Sequence, residues 1–246
     1  MVLFETVFFN KDSEENELSS FNPFSLRELI VRLLRPQLTR MRNKKIFDWV
    51  SENGRGKRIL NLGSGNGLFD CYLDEHIEFI NLDIANGKKN LHLIADAHLI
   101  PFSDNSFDIV YSIAVLEHVR KPWIVADEIT RILRPGGHVV LELPFLNVIH
   151  DEHDYFRFTD KGIRSLFDDE HYEVVLEQVG SGGGSFLSVF LLEYFRQFVP
   201  TKILKGIWRF AMSWPFSFIK HLDIPINFSK DLRITANSFS YIGRKL

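Results

Sequence analysis

Apolar positions in this chain change their period several times, and each change marks an element. Leu26, Leu29, Ile30, Leu33 and Leu34 recur at helical spacing until Pro36 stops the run. A second short helix is expected over 44–50, ahead of the turn signal Asn53-Gly54. Short continuous apolar runs then take over at 59–62, 79–82, 91–95, 107–112 and 138–143, and each reads as a buried strand. Helical or loop segments separate them, the clearest at 123–133, closed by Arg134-Pro135-Gly136-Gly137. Such alternation predicts an α/β domain with a parallel sheet and helices on both faces. A helix capped by Thr159 or Asp160 and ending near Phe167 follows, then strands at 172–179 and 236–243.

Between those last two strands the pattern changes character. Gly180-Ser181-Gly182-Gly183-Gly184-Ser185 reads as a flexible hinge. Beyond it come Phe186, Phe190, Tyr194, Phe195, Phe198, Trp208, Phe210, Trp214, Phe216 and Phe218. Five basic residues (Arg196, Lys202, Lys205, Arg209, Lys220) stand among these aromatics against Glu193 alone. A basic, aromatic helical stretch of this kind, centred on 186–220, suits a membrane surface; a lid on the domain and a homodimer interface are the competing readings.

Candidate chemistry begins where the first strand breaks. Asn61-Leu62 is followed by Gly63-Ser64-Gly65-Asn66-Gly67, three glycines at alternate positions. Glycines there let the backbone take positive φ and approach a bulky ligand closely. Asp83 closes the second apolar run, at the tip of the neighbouring strand, where a carboxylate can accept hydrogen bonds from a ribose. A nucleoside-containing cofactor is therefore expected. The spacing G-x-G-x-G departs from the dinucleotide pattern G-x-G-x-x-G, because Leu68 stands at the place of the third glycine. That disfavours a nicotinamide-dependent oxidoreductase.

These residues resemble the first motif of class I S-adenosylmethionine (SAM) dependent methyltransferases, with Asn61 in place of the usual acidic residue. The likeness, of the small-molecule type 11 kind, continues through Ala95-Asp96-Ala97 to Phe107-Asp108, through Leu116-Glu117-His118-Val119, and through Leu133 to Gly137. It implies a Rossmann-like, seven-stranded, mostly parallel sheet. Its parts would be an N-terminal helical segment (1–57), a SAM-binding core (58–180), a helical insert (181–235) and a final core strand (236–246). The resemblance further implies that Asn61, Gly63, Ser64, Gly65, Asn66 and Gly67 hold the methionine end of the cofactor. By the same likeness Asp83 takes the ribose hydroxyls and Asp96 with Ala97 the adenine; Ile84 and Ser112 are further cofactor-binding candidates. Read without the family, Asp96 can instead cap the turn that follows it.

The segment His150-Asp151-Glu152-His153-Asp154-Tyr155-Phe156-Arg157-Phe158-Thr159 is placed to overhang the transferred methyl group. It resembles a D-Y-F-R-F-T stretch of bacterial methyltransferases linked to surface-polysaccharide genes. His150, His153 and His118 are the candidate general bases, since an imidazole titrates near neutrality. Asp154, Tyr155 and Arg157 either bind substrate or fix the loop through an ion pair and a packed aromatic. No metal is expected, because the helical H-E-x-x-H spacing is absent and no cysteine is near.

Charge and composition narrow the partners. A formal net charge of −3 does not fit general nucleic-acid binding. Tyr111-Ser112-Ile113-Ala114 replaces the N-P-P-Y-like motif of enzymes that methylate base amines, leaving a small or lipid-linked acceptor, with oxygen as the expected atom. A non-catalytic SAM-binding or interaction module is the alternative. The single cysteine, Cys71, fits a reducing compartment. With no secretory pattern at 1–10 and no apolar run of about 20 residues, a cytoplasmic protein is expected, in peripheral contact with the inner membrane face if the insert binds lipid.

Overall fold

Side chains one apart along each strand enter different layers of the protein, and this alternation builds the domain. The computed structural model describes residues 44–65, 76–85, 91–223 and 232–246. The expected helix between Ser25 and Pro36, Asn66, Gly67, Leu68 and Cys71 lie outside the described residues. Helix α1 (Lys44–Asn53) leads into β1 (Ile59–Leu62), followed by β2 (Phe79–Asp83), β3 (Leu93–Ile94) and β4 (Phe107–Ile113). A 3-10 turn (Leu116–His118), α2 (Pro122–Ile132), β5 (Leu133–Pro144), α3 (Asp160–Arg164) and β6 (Tyr172–Ser181) come next. The insert supplies α4 (Gly183–Arg196), α5 (Lys202–Ser217) and a 3-10 turn (Ile219–Leu222); a last 3-10 turn (Leu232–Thr235) precedes β7 (Ser238–Lys245).

The seven strands form one sheet in the order β3-β2-β1-β4-β5-β7-β6. Strands β1 to β5 pair in parallel, and β7 runs antiparallel between β5 and β6. Leu60, Val110, Val139 and Leu141 pack with α2 residues Val125, Ala126, Ile129 and Ile132 on one face. Their neighbours Ile59, Ile109, Tyr111 and Val140 pack with α1 residues Ile46, Phe47 and Val50 on the other. Each such aliphatic side chain, removed from water, stabilises the fold by roughly 1.5–3 kcal/mol. The order reverses direction at β1 and β4, so the carboxyl ends of these two strands flank the crevice where open α/β sheets bind ligands.

Two expectations change. Strand β5 begins at Leu133 rather than 138, because the Arg134-Pro135-Gly136-Gly137 stretch joins the ladder through a register shift opposite Phe107 and Ile109. The glycine-rich stretch after β6 is no hinge. Strand β6 continues through Ser181, which pairs with Ser238. A Cβ on Gly180 would come 2.6 Å from Ser238 Oγ and 2.7 Å from Glu142 Oε1, so the segment is glycine-rich because it is crowded. Asp223, buried at the end of the insert, accepts from Gly184 N (2.7 Å), Ser185 N (3.2 Å) and Ser185 Oγ (3.1 Å), and so caps α4 with a carboxylate.

Candidate active site

Backbone geometry at the end of β1 follows from what surrounds it. Gly63 and Gly65 have φ of +69° and +59°. A Cβ on Gly63 would come 2.9 Å from Val115 Cγ1 and nearer still to Cγ2, so the first glycine is packed directly against the segment after β4. Gly63 N and Ser64 N both donate to Leu82 O, at 2.8 and 3.1 Å. Asp83, only 6% exposed, accepts from Gly65 N at 2.9 Å through Oδ2 and from Ala85 N at 2.9 Å through Oδ1. The carboxylate at the tip of β2 thus sets the turn of the loop at the tip of β1. Two lone pairs per oxygen leave it able to accept a further hydroxyl.

Other residues of this edge divide by environment. Asn61 is buried, and its amide donates to Asn81 Oδ1 at 3.0 Å across the β1–β2 pair. Ser112 is buried on β4, and its Oγ has no hydrogen-bond partner among the described residues. Ile84 is 71% exposed beside Asp83, an apolar surface suited to a purine ring. Asp96 Oδ1 accepts from His98 N at 2.9 Å and lies 2.6 Å from His98 Nδ1. These contacts hold its carboxyl below the usual carboxylate range, the His98 backbone bond contributing most, so Asp96 does cap its turn. Ala97 lies next to it, buried.

The loop after β5 folds back onto the 3-10 turn after β4. Tyr155 N and Phe156 N donate to Glu117 O at 2.8 and 3.3 Å. Asp154 and Arg157 form a two-pronged ion pair, with Arg157 Nη2 2.7 Å from Asp154 Oδ2 and Nη1 on Oδ1. Arg157 also donates to Val148 O at 3.0 Å and Phe156 O at 2.8 Å. Burial alone would raise the Asp154 carboxyl, but the Arg157 bonds and His150 outweigh it and hold it low. Asp154 and Arg157 therefore spend their polar groups inside the loop. Tyr155 points outward, 40% exposed, with Arg120 Nε donating to its hydroxyl at 3.2 Å.

Of the three histidines expected here, two meet. His118 Nε2 and His150 Nε2 are 3.2 Å apart, with the rings edge-to-face. His118 Nδ1 faces His153 O at 2.8 Å; His150 Nδ1 is 3.2 Å from Val148 O and 3.0 Å from Asp154 Oδ2. The His153 side chain is 63% exposed and stands apart, so this residue contributes its carbonyl rather than its ring. Burial lowers the pKa of His118 and pushes that of His150 down to about 4. Glu117, fully buried beside them, has its carboxyl raised to about 7 by the same desolvation. Glu117 has no role assigned by the motif in which it stands. Its signal was a carboxylate directly before His118 in a segment leaving a strand end.

Residues 60–141 match the family model described as a methyltransferase domain. A Mycobacterium leprae protein named as a methyltransferase is 33% identical over 108 residues, 38% of this chain and 40% of that protein. A Mycobacterium tuberculosis protein so named is 32% identical over 103 residues, 37% of this chain and 41% of its own length. The chain thus spans about 40% of the length of the curated relatives it matches. Among solved structures, the [4+2]-cyclase SpnF superposes with a TM-score of 0.54 at 15% identity over 82% of this chain and 80% of its own. A Galdieria sulphuraria protein described as a candidate sarcosine dimethylglycine methyltransferase gives 0.52 at 16% identity, covering 81% and 85%. These two likenesses show the fold.

Residues 60–141 thus resemble a methyltransferase domain, and they are set in a seven-stranded sheet of the fold shared with those two structures. S-adenosylmethionine is the cofactor such a domain implies. The residues present fit it: a glycine loop held open by Asp83, an apolar side chain at Ile84, and an unpartnered buried hydroxyl at Ser112.

Proposed function

We propose that this chain transfers a methyl group to an oxygen of a small or lipid-linked acceptor, such as a sugar or polysaccharide precursor. The observation that carries the reading is convergence: the glycine loop, Asp83 and the His118–His150 pair all lie at carboxyl ends of strands on one edge of the sheet. S-adenosylmethionine, when bound, supplies the activated methyl carbon. The chain's own residues align the partners, which accounts for up to about 7–11 kcal/mol of a barrier at best. Gly63, Ser64 and Gly65 would hold the cofactor's methionine end, Asp83 the ribose hydroxyls, and Ile84 with Ala97 the adenine. The proton of an acceptor hydroxyl would pass to Nε2 of the histidine pair; buried imidazoles are neutral at pH 7 and free to take it. Calorimetric titration with S-adenosylmethionine and, separately, with NAD tests the reading. Micromolar binding of the first and silence toward the second is the expected result; no response to S-adenosylmethionine would reject it.

The insert favours a lipid-linked acceptor. Helix α5 turns Trp208, Met212 and Phe216 toward Val189 and Leu192 of α4. Its opposite side exposes Ile203, Ile207, Phe210 and Trp214 at helical spacing; of the helix's basic residues Lys202 is exposed, and Lys205 and Arg209 are half-buried. An apolar stripe with basic neighbours suits an anionic bilayer surface. Among the described residues, no helix is long and apolar enough to cross a membrane.

A further inference from the structure

The two histidines pose a problem of protons. His118 Nδ1 faces the His153 carbonyl, which can only accept, so this nitrogen carries the hydrogen. His150 Nδ1 faces the Val148 carbonyl and the Asp154 carboxylate, two acceptors, so it carries one as well. A neutral imidazole has a single N–H. Both Nε2 atoms therefore present lone pairs, and they present them to each other at 3.2 Å. Something positive is needed between them. Beside them Glu117, fully buried, has no hydrogen-bond partner among the described residues on either carboxylate oxygen, and its Oε1 lies 3.7 Å from His118 Nε2.

We propose that Glu117, His118 and His150 form a binding site for a divalent transition-metal cation such as Zn²⁺ or Mn²⁺. One donor atom from each residue falls within 4.8 Å of the other two. Around a tetrahedral ion with ligands at about 2.1 Å, donors stand about 3.4 Å apart. The observed 3.2 and 3.7 Å bracket that spacing, and a small rotation of the Glu117 side chain closes the third edge. Imidazole-rich sites with one carboxylate suit zinc, iron and manganese rather than calcium or magnesium. The outer contacts are those metal-binding histidines ordinarily have, one Nδ1–H on a backbone carbonyl and the other on a carbonyl and a carboxylate. A cation would also stabilise the ionised form of Glu117, which burial otherwise disfavours.

The expectation of no metal rested on the missing helical zinc spacing and the lack of a nearby cysteine. Here the donors come from two segments, with the paired histidines 32 residues apart, and only folding brings them together. Three protein ligands leave at least one position open, the arrangement of catalytic rather than structural sites. An acceptor hydroxyl could occupy it. With both Nε2 atoms then ligands, the ion would acidify that hydroxyl and release its proton to solvent, in place of the base role of the ion-free pair. That use alone rests on the methyl-transfer reading, and binding of the ion does not.

The test uses the full chain, stripped with EDTA, dialysed, and titrated calorimetrically with Zn²⁺, Mn²⁺ and Mg²⁺. One equivalent of Zn²⁺ is expected at micromolar or tighter affinity, Mn²⁺ more weakly, and Mg²⁺ not at all. Co²⁺ should give the visible absorption of a low-coordinate nitrogen and oxygen site. His150→Gln and Glu117→Gln should each weaken Zn²⁺ by about tenfold or more, and Asp154→Asn by about tenfold through loss of orientation. His153→Ala, which keeps the backbone carbonyl, should leave it unchanged. Should Glu117→Gln fail to fold, His150→Gln in the more exposed loop decides the matter. Absence of Zn²⁺ and Mn²⁺ binding to the stripped chain, as for a pair holding a shared proton, overturns the proposal. So does equal Zn²⁺ affinity in wild type and His150→Gln. S-adenosylmethionine titrated into the same samples separates failure of this site from failure of the methyl-transfer reading.

Discussion

Gly63 is bound by two constraints at once, a positive φ of +69° and the side chain of Val115 in the space a Cβ would need. Gly63→Ala should destabilise the chain by about 2 kcal/mol or more, summing left-handed strain and overpacking. Val115→Ala in the same chain should restore part of that loss, because it removes the clash and leaves the strain. Urea unfolding of the four variants checks it; strictly additive effects would mean that the contact is not the cause. Asp83 has a double task as well, holding Gly65 N while offering further acceptor capacity. Asp83→Ala is expected to weaken S-adenosylmethionine by roughly 1–3 kcal/mol while the sheet stays folded. An unchanged affinity in the folded variant would move the pocket elsewhere. The motif made both residues legible as a pair. That Asp83 acts on the glycine loop itself is a matter of loop geometry that spacing does not contain.

Among the elements, α4 depends on a distant residue. Its first turn is glycine and serine, weak helix formers without a local side-chain cap, and Asp223 supplies the missing acceptor from 39 positions away. Asp223→Ala should destabilise the insert by about 1–2 kcal/mol. Hydrogen exchange should show lost protection through α4 with the amides of β1 and β4 unaffected; uniform loss across the sheet would show that the insert is not a separable unit. Helix α5, by contrast, begins at Thr201, whose hydroxyl accepts from Leu204 N at 3.2 Å. That cap is a local signal and costs about 1 kcal/mol when Thr201 becomes Ala. Flexibility was the natural inference for the glycine-rich stretch before α4 because composition cannot distinguish glycines chosen for freedom from glycines chosen for lack of room. Only the positions of Glu142, Ser238 and Asp223 decide between them.

For the whole molecule, the candidate site edge and a basic, aromatic insert belong to one chain, and Val148 of the loop after β5 packs with the Val189–Leu192 cluster of the insert. A membrane-docked insert would thus lie beside the proposed acceptor site. The chain should co-sediment with vesicles containing anionic phospholipid and less so as salt rises. Ile207→Glu with Phe210→Glu, both on the exposed side of α5, should abolish sedimentation without loss of stability. Equal sedimentation of wild type and variant would remove the membrane from the proposal and leave lid or dimer. Sequence by itself determined the sheet-forming runs, the glycine loop with Asp83, and the family likeness, because these rest on local period and fixed short spacings. Tertiary structure alone decided that β7 inserts between β5 and β6, that Asp154 and Arg157 pair with each other, and that His118 and His150 meet beside Glu117. Those outcomes depend on which segments share a sheet edge. Burial and the facing of donor atoms are properties of that meeting, and no residue carries them alone.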